Sequence, residues 1–241
     1  MKRGELAPWF LAHQGRVIDK WHHYFEIYET HLARFRNTKV RMLEIGVQNG
    51  GSQEMWRDYM GPDALLYGVD INPDCAKLNG DAGEVRIGSQ DDPEFLRRVI
   101  DEMGGVDVVL DDGSHVMKHI RTSFDTLFPY VSEGGIYIVE DLHTAYWSNF
   151  GGGHRRPASF IEHVKSLVDG MHHWYHGYGG GPAMTRDRIF AAHFYDGMIV
   201  LEKRAVERPR RSTRGRLAKV VSASAPAEGA AMPEPPVRDA S

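Results

Sequence analysis

The stretch from Val106 to Trp147 constrains the fold more than any other part of the chain. It reads VDVVLDDGSH, then a helical segment, then GGIYIVEDLHTAYW. Val106 to Leu110 and Ile136 to Val139 are short runs rich in Val and Ile, and each ends in adjacent carboxylates, Asp111-Asp112 and Glu140-Asp141. Runs of this kind are buried strands. Between them, roughly from His115 to Tyr130, Val116, Ile120, Phe124, Leu127 and Phe128 fall at helical spacing, and Pro129 and Gly134-Gly135 stop the helix. A strand, helix, strand unit crosses over right-handedly and keeps its strands parallel, so both acid pairs emerge at one sheet edge. With neighbouring strands about 4.8 Å apart, four carboxylates would share a small volume. Such a cluster repels itself unless a proton or cation joins it. Oxygen ligands suit a hard divalent ion such as Mg²⁺. His115, three residues past Asp112, is placed as a base beside them.

The rest of the chain extends this unit into a doubly wound sheet. VRMLEIG, residues 40–46, is a strand that enters the glycine-rich turn VQNGGS and then a helix, SQEMWRDYM. Gly46, Gly50 and Gly51 approximate a nucleotide-binding turn, although G-x-x-x-G-G departs from G-x-G-x-x-G. The next strand, LLYGVDI, puts Asp70 at its tip, where an acid takes the hydroxyls of a ribose. Val85 to Ile87 forms a third strand, followed by Ser89, Gln90 and Asp91 at the same edge, within reach of an adenine ring. DPEFLRRVIDEMG is a helix with Pro93 in its first turn and Gly104-Gly105 at its end. RIFAAHFYD and MIVLEK, separated by Gly197, make an antiparallel hairpin, because a parallel return needs a dozen residues or more. Before the sheet, residues 19–35 repeat Trp21, Tyr24, Phe25, Tyr28, Leu32 and Phe35 at helical spacing, a helix that covers the fold or packs on another subunit. HHWYH, with His172 and His176 one turn apart, offers no evident third ligand and reads as a solvated helix end.

Composition excludes several classes. The basic tail from Arg204 to Ser241 holds eight Lys and Arg against four acids, so the net −4 of the 241 residues leaves −8 on residues 1–203, a poor nucleic-acid surface. No apolar run approaches the ~20 residues of a membrane span, and MKRGELAPWF lacks a signal-peptide core. The lone Cys75 excludes an internal disulfide. A cytoplasmic location follows as the expectation. The expected organisation is an N-terminal helical segment over residues 1–37, a catalytic domain over 38–204 and a disordered tail over 205–241.

LEIGVQNGGS at the first turn, GVDI at the second strand and the closing hairpin resemble the class I S-adenosylmethionine-dependent methyltransferases, a Rossmann-like α/β fold with a mostly parallel seven-stranded sheet. DDGSH, LFPYVSEGGIYIVEDLHTAYW and HFYDGMIVLEK are similar, more narrowly, to the metal-dependent macrolide sugar O-methyltransferases. The resemblance implies S-adenosylmethionine and Mg²⁺ as cofactors, with Asp112, Glu140 and Asp141 as metal ligands and His115 as general base. It places Glu44, Gly46, Asn49, Gly50 and Ser52 along the methionine end of the cofactor, Asp70 on its ribose, Ser89 and Gln90 near adenine, and Asp111 facing either cofactor or metal. The implied acceptor is a small-molecule glycoside with a vicinal diol, and a homo-oligomer is expected. The glycine turn with Asp70 also suits NAD, but an NAD-type oxidoreductase gives the clustered acids no task. A non-catalytic relative of the fold would have no need of intact DDGSH and VED motifs. An iron oxygenase would want two His and one carboxylate, and the motif holds only His115.

Overall fold

The computed structural model describes residues 4–176 and 185–215. Seven strands form one sheet in the order β3-β2-β1-β4-β5-β7-β6. They are β1 (Arg41–Ile45), β2 (Leu65–Asp70), β3 (Glu84–Ile87), β4 (Val106–Asp111), β5 (Val131–Val139), β6 (Ile189–Tyr195) and β7 (Met198–Lys203). All neighbours pair in parallel except β7, which runs antiparallel to both β5 and β6. The helices are α1 (Leu6–Ala12), α2 (Tyr24–Leu32), α3 (Gly51–Met60), α4 (Pro93–Met103), α5 (Met117–Leu127) and α6 (Phe160–Met171).

Parity along each strand sorts residues between two layers, since successive side chains point to opposite faces. Leu43, Ile45, Val109, Tyr137 and Val139 pack against α4, α5 and α6. Met42, Val108, Leu110, Ile136 and Ile138 pack against α1, α2 and α3. Burying each large side chain of these layers contributes on the order of 1.5–3 kcal/mol.

Local chemistry fixes the helix starts. Asp92 caps α4 by accepting from Glu94 N and Phe95 N at 3.0 and 3.1 Å, Pro93 follows, and Gly104 ends the helix at φ +70°. Ser159 caps α6 through Glu162 N at 3.4 Å.

Three stretches depart from the sequence expectation. Residues 19–23 are not helical: α2 begins at Tyr24, and the preceding chain lies across the sheet edge with Lys20 buried beneath it. Ion pairing of Lys20 overrides the helical pattern there. The second is β5, which starts at Val131, so Gly134-Gly135 lie inside the strand at a register shift where a side chain on Gly135 would stand 2.4 Å from Asp107 O. Third, α6 ends at Met171, with a short 3-10 turn, His173–Tyr175, after it. The hairpin forms as expected. The apolar face of α2 covers this sheet, with Tyr24, Phe25, Ile27, Tyr28 and Leu32 buried. No helix among the described residues is long and apolar enough to cross a membrane. Residues 205–215 carry no regular structure, and residues 216–241 of the expected tail lie outside the described residues.

Candidate active site

The carboxyl ends of β1, β2, β4 and β5 converge, as parallel sheets require. In the first turn Gly46 adopts φ +96°, and a Cβ there would stand 2.2 Å from Asp112 O, so only glycine lets the turn after β1 meet the loop after β4. Asp70 braces this turn. Its Oδ2 accepts from Val47 N and Gln48 N, both at 2.9 Å, and its Oδ1 from Asn72 N at 2.8 Å.

Behind the turn lies a cavity of about 500 Å³ lined by Gly46, Ser52, Asp112, His115, Glu140 and Asp141. His115 Nε2 is 3.9 Å from Asp112 Oδ1 and 3.8 Å from Asp141 Oδ2. One ligand atom from each of these three residues lies within 4.8 Å of the others. His115 and Asp141 both have left-handed backbones, φ 56° and 54°, which aim their side chains back into the cavity mouth. Tyr24 fixes Asp141, its hydroxyl donating to Oδ1 at 2.9 Å.

Glu140 departs from expectation. Its carboxylate is buried and held by Tyr28 at Oε1 and by Lys20 at Oε2, the latter at 2.9 Å, so His115 rather than Glu140 completes the three-donor group. Lys20 also donates to Asp112 Oδ2. Burial pushes Glu140 up to about 8 even though Lys20 pulls it down. Lys20 itself is drawn down by burial, but Asp112, Glu140 and Glu44 together hold it well above its ordinary value. Burial likewise pushes Glu44 up to about 7. Glu44 Oε1 accepts from Trp56 Nε1 at 3.0 Å, whereas its buried Oε2 has no partner. In both Glu44 and Glu140, burial disfavours the charged form more than the one ammonium favours it.

Asp111 belongs elsewhere. It follows Val109 in parity, so it faces α5 and not the cavity, accepting from Gln90 Nε2 at 3.0 Å, Tyr137 OH at 3.3 Å and Ser123 Oγ. It therefore meets neither cofactor turn nor metal cluster, and of the four expected carboxylates Asp112, Glu140 and Asp141 share the cavity, while Glu44 is buried near Lys20 without lining it. Gln90 is consumed in the same network: its Oε1 accepts from Ser114 N at 2.6 Å, which ties DDGSH down and leaves no free amide for adenine. Ser89 remains half-exposed with its Oγ accepting from Asp91 N at 3.1 Å. Asn49 is exposed and Gly50, at φ +81°, starts α3; neither lines the cavity.

Residues 43–142 match the model of a methyltransferase domain. The chain carries a class I methyltransferase domain. Curated relatives include two enzymes of Streptomyces olivaceus. The 8-demethyl-8-(2-methoxy-alpha-L-rhamnosyl)-tetracenomycin-C 3'-O-methyltransferase is 40% identical over 212 residues, 83% of this chain and 54% of that protein. The 8-demethyl-8-alpha-L-rhamnosyl tetracenomycin-C 2'-O-methyltransferase is 41% identical over 212 residues, 83% of this chain and 55% of that protein. Among solved structures, the MycE methyltransferase from the mycinamycin biosynthetic pathway, in complex with Mg, SAH and mycinamycin VI, superposes with a TM-score of 0.73 at 34% identity over 83% of this chain and 53% of that one. The chain thus spans about half the length of the relatives it matches.

The segment that precedes the methyltransferase domain holds site residues that sequence reasoning missed. Lys20, Tyr24 and Tyr28 all serve the acids, and the signal was a lone Lys beside an aromatic stripe whose tyrosines stand one helical turn apart. His143 packs between Trp21 and Trp147, at 5.8 and 4.9 Å between ring centroids, so aromatic rings stand beside the cavity that Trp21 and His143 line.

Proposed function

We propose that this protein is a Mg²⁺-dependent O-methyltransferase that moves the methyl group of S-adenosylmethionine to a sugar hydroxyl of a glycosylated natural product such as a macrolide. One observation carries the reading: Asp112, Glu140, Asp141 and His115 line one cavity, and Lys20 is buried there between Asp112 and Glu140. The donor set fits both cofactors. Asp112, Asp141 and, after a change of partner, Glu140 are hard oxygen ligands for Mg²⁺, and the orphaned Glu44 Oε2 suits the α-ammonium of S-adenosylmethionine. The relatives' names point to sugar-bearing antibiotics as acceptors.

Each residue then has a task. Asp70 accepts from the ribose while bracing the glycine turn. Gly46 and Ser52 border the methionine end, and Ser89 lies toward the adenine. Tyr24 and Tyr28 hold Asp141 and Glu140. Bound Mg²⁺ supplies a Lewis acid that lowers the pKa of the acceptor hydroxyl. His115 Nε2 removes that proton, a step worth typically 10²–10⁴-fold. Trp21, Tyr146 and Trp147 admit a bulky glycoside at the mouth.

The acceptor is a vicinal diol, because two adjacent hydroxyls would suit a hard cation held by Asp112, Glu140 and Asp141, and that pairing would orient one of them for transfer. Two glycosides that differ only in the neighbouring hydroxyl test this. The deoxy acceptor is expected to lose most of its rate, and equal rates on both would refute chelation. A cytoplasmic homo-oligomer completes the reading, and light scattering on the purified protein checks the assembly.

A further inference from the structure

Lys20 is the one buried residue of residues 11–20, and its side chain is 3% exposed. An ammonium is that deeply buried only when anions compensate it. Here its Nζ donates to Asp112 Oδ2 and to Glu140 Oε2, two of the carboxylates assigned above to Mg²⁺. Its other surroundings are anionic or neutral: Glu44 acts on it from β1, and Tyr28 of α2 shares Glu140 with it.

The segment that delivers Lys20 is held by side chains more than by its backbone. Among the described residues no backbone-to-backbone hydrogen bond involves residues 17–20. Arg16 is tied through its N–H to Glu54 Oε2 at 3.1 Å, and the carbonyls of Arg16 and Val17 press on Gly51, where a Cβ would stand 2.5 Å from each. Val17 is exposed, and Val17, Ile18, Asp19, Trp21 and His22 wall the cavity mouth. The ammonium therefore ties this wall to the acids, while Ile18 packs on the core and Trp21 and His22 pack against His143 and Phe25.

We propose that Lys20 is a tethered counter-ion of the metal site. It neutralises Asp112 and Glu140 in the metal-free enzyme, leaves them when Mg²⁺ takes their oxygens, and in leaving frees residues 17–22 from the mouth. The proposal rests on the Mg²⁺ reading of the previous section. It explains why Glu140 turns away from Asp141 and His115 here: its partner is the ammonium. Lys20 touches no substrate and is a positioning residue that couples metal loading to access.

Hydrogen exchange on the full chain, stripped with EDTA and then titrated with Mg²⁺ without S-adenosylmethionine, reads this coupling directly. Mg²⁺ is expected to speed exchange in residues 16–22 while the amides of β1 and β4 stay protected. In Lys20→Met those residues exchange fast before metal is added. The variant also binds Mg²⁺ at least roughly tenfold tighter by calorimetry, the displaced charge-assisted hydrogen bonds no longer competing. Lys20→Arg restores slow exchange. Should the Met variant not fold, the wild-type exchange arm decides alone. Mg²⁺ binding that leaves or slows exchange in residues 16–22, or a Met variant with unchanged or weaker Mg²⁺ affinity, overturns the proposal. No Mg²⁺ binding by the wild type would instead remove the metal reading, and this proposal with it.

Discussion

Replacing Asp70 by Ala separates the two jobs given to one carboxylate. Asp70 accepts from three backbone N–H groups, those of Val47, Gln48 and Asn72. Gln48 and Asn72 are exposed, so water takes over their bonds at little cost, whereas Val47 is buried. Stranding the Val47 N–H costs about 1–3 kcal/mol. At roughly 2–4 °C per kcal/mol for a domain of this size, the melting temperature falls by several degrees and the fold survives. The ribose contact adds a separate loss: a charge-assisted hydrogen bond of about 1.5–3 kcal/mol corresponds to roughly 10- to 150-fold weaker binding of S-adenosylmethionine. Calorimetry with S-adenosylmethionine and thermal melting of the same preparation read the two effects independently. Asp70→Asn keeps an oxygen for Val47 and Gln48, so it is expected to melt close to the wild type yet still bind more weakly. Unchanged affinity in Asp70→Ala would refute the ribose assignment. An unchanged melting temperature would refute the bracing of the turn.

Asp111→Ala strips the acceptor from Gln90, Ser123 and Tyr137 in the core; denaturant melts are expected to show a loss of about 3 kcal/mol or more, with S-adenosylmethionine affinity reduced less than in Asp70→Ala. Removal of divalent metal with EDTA is expected to abolish methyl transfer while S-adenosylhomocysteine still binds, and full turnover in demonstrably metal-free enzyme would refute the metal assignment. His163 is lowered to about 4 by burial first and then by Arg121, so its contribution is full above its ordinary value of 6.5 and disappears as pH falls toward 4. Because raised Glu44 and Glu140 work in the opposite sense between their ordinary 4.5 and about 7 to 8, the test is a difference. His163→Phe is expected to gain up to about 3 kcal/mol on the wild type between pH 7 and 4, and parallel stability curves would refute it.

Local pattern determined the ladder of this protein: apolar runs ended by acids or glycines, Pro93 and Gly104 bounding a helix, and one glycine between the last two strands. These are short-range signals, and the sheet follows because a crossover has one hand. Parity within VVLDD and YIVED already separates Asp111 from Asp112 and puts Glu140 on the face of Asp112, since alternation along a strand is a property of the chain itself. Tertiary structure decided what no window of sequence contains. Lys20 reaches Asp112 and Glu140 across 92 and 120 positions, Tyr24 reaches Asp141 across 117, and Gln90, after β3, ties down Ser114, after β4, although β2 and β1 separate those strands. The N-terminal segment read as a helix because its aromatic spacing is helical, yet the attraction between a buried ammonium and two carboxylates outweighs the small per-residue preference for helix. That attraction exists only after the sheet has brought the acids together.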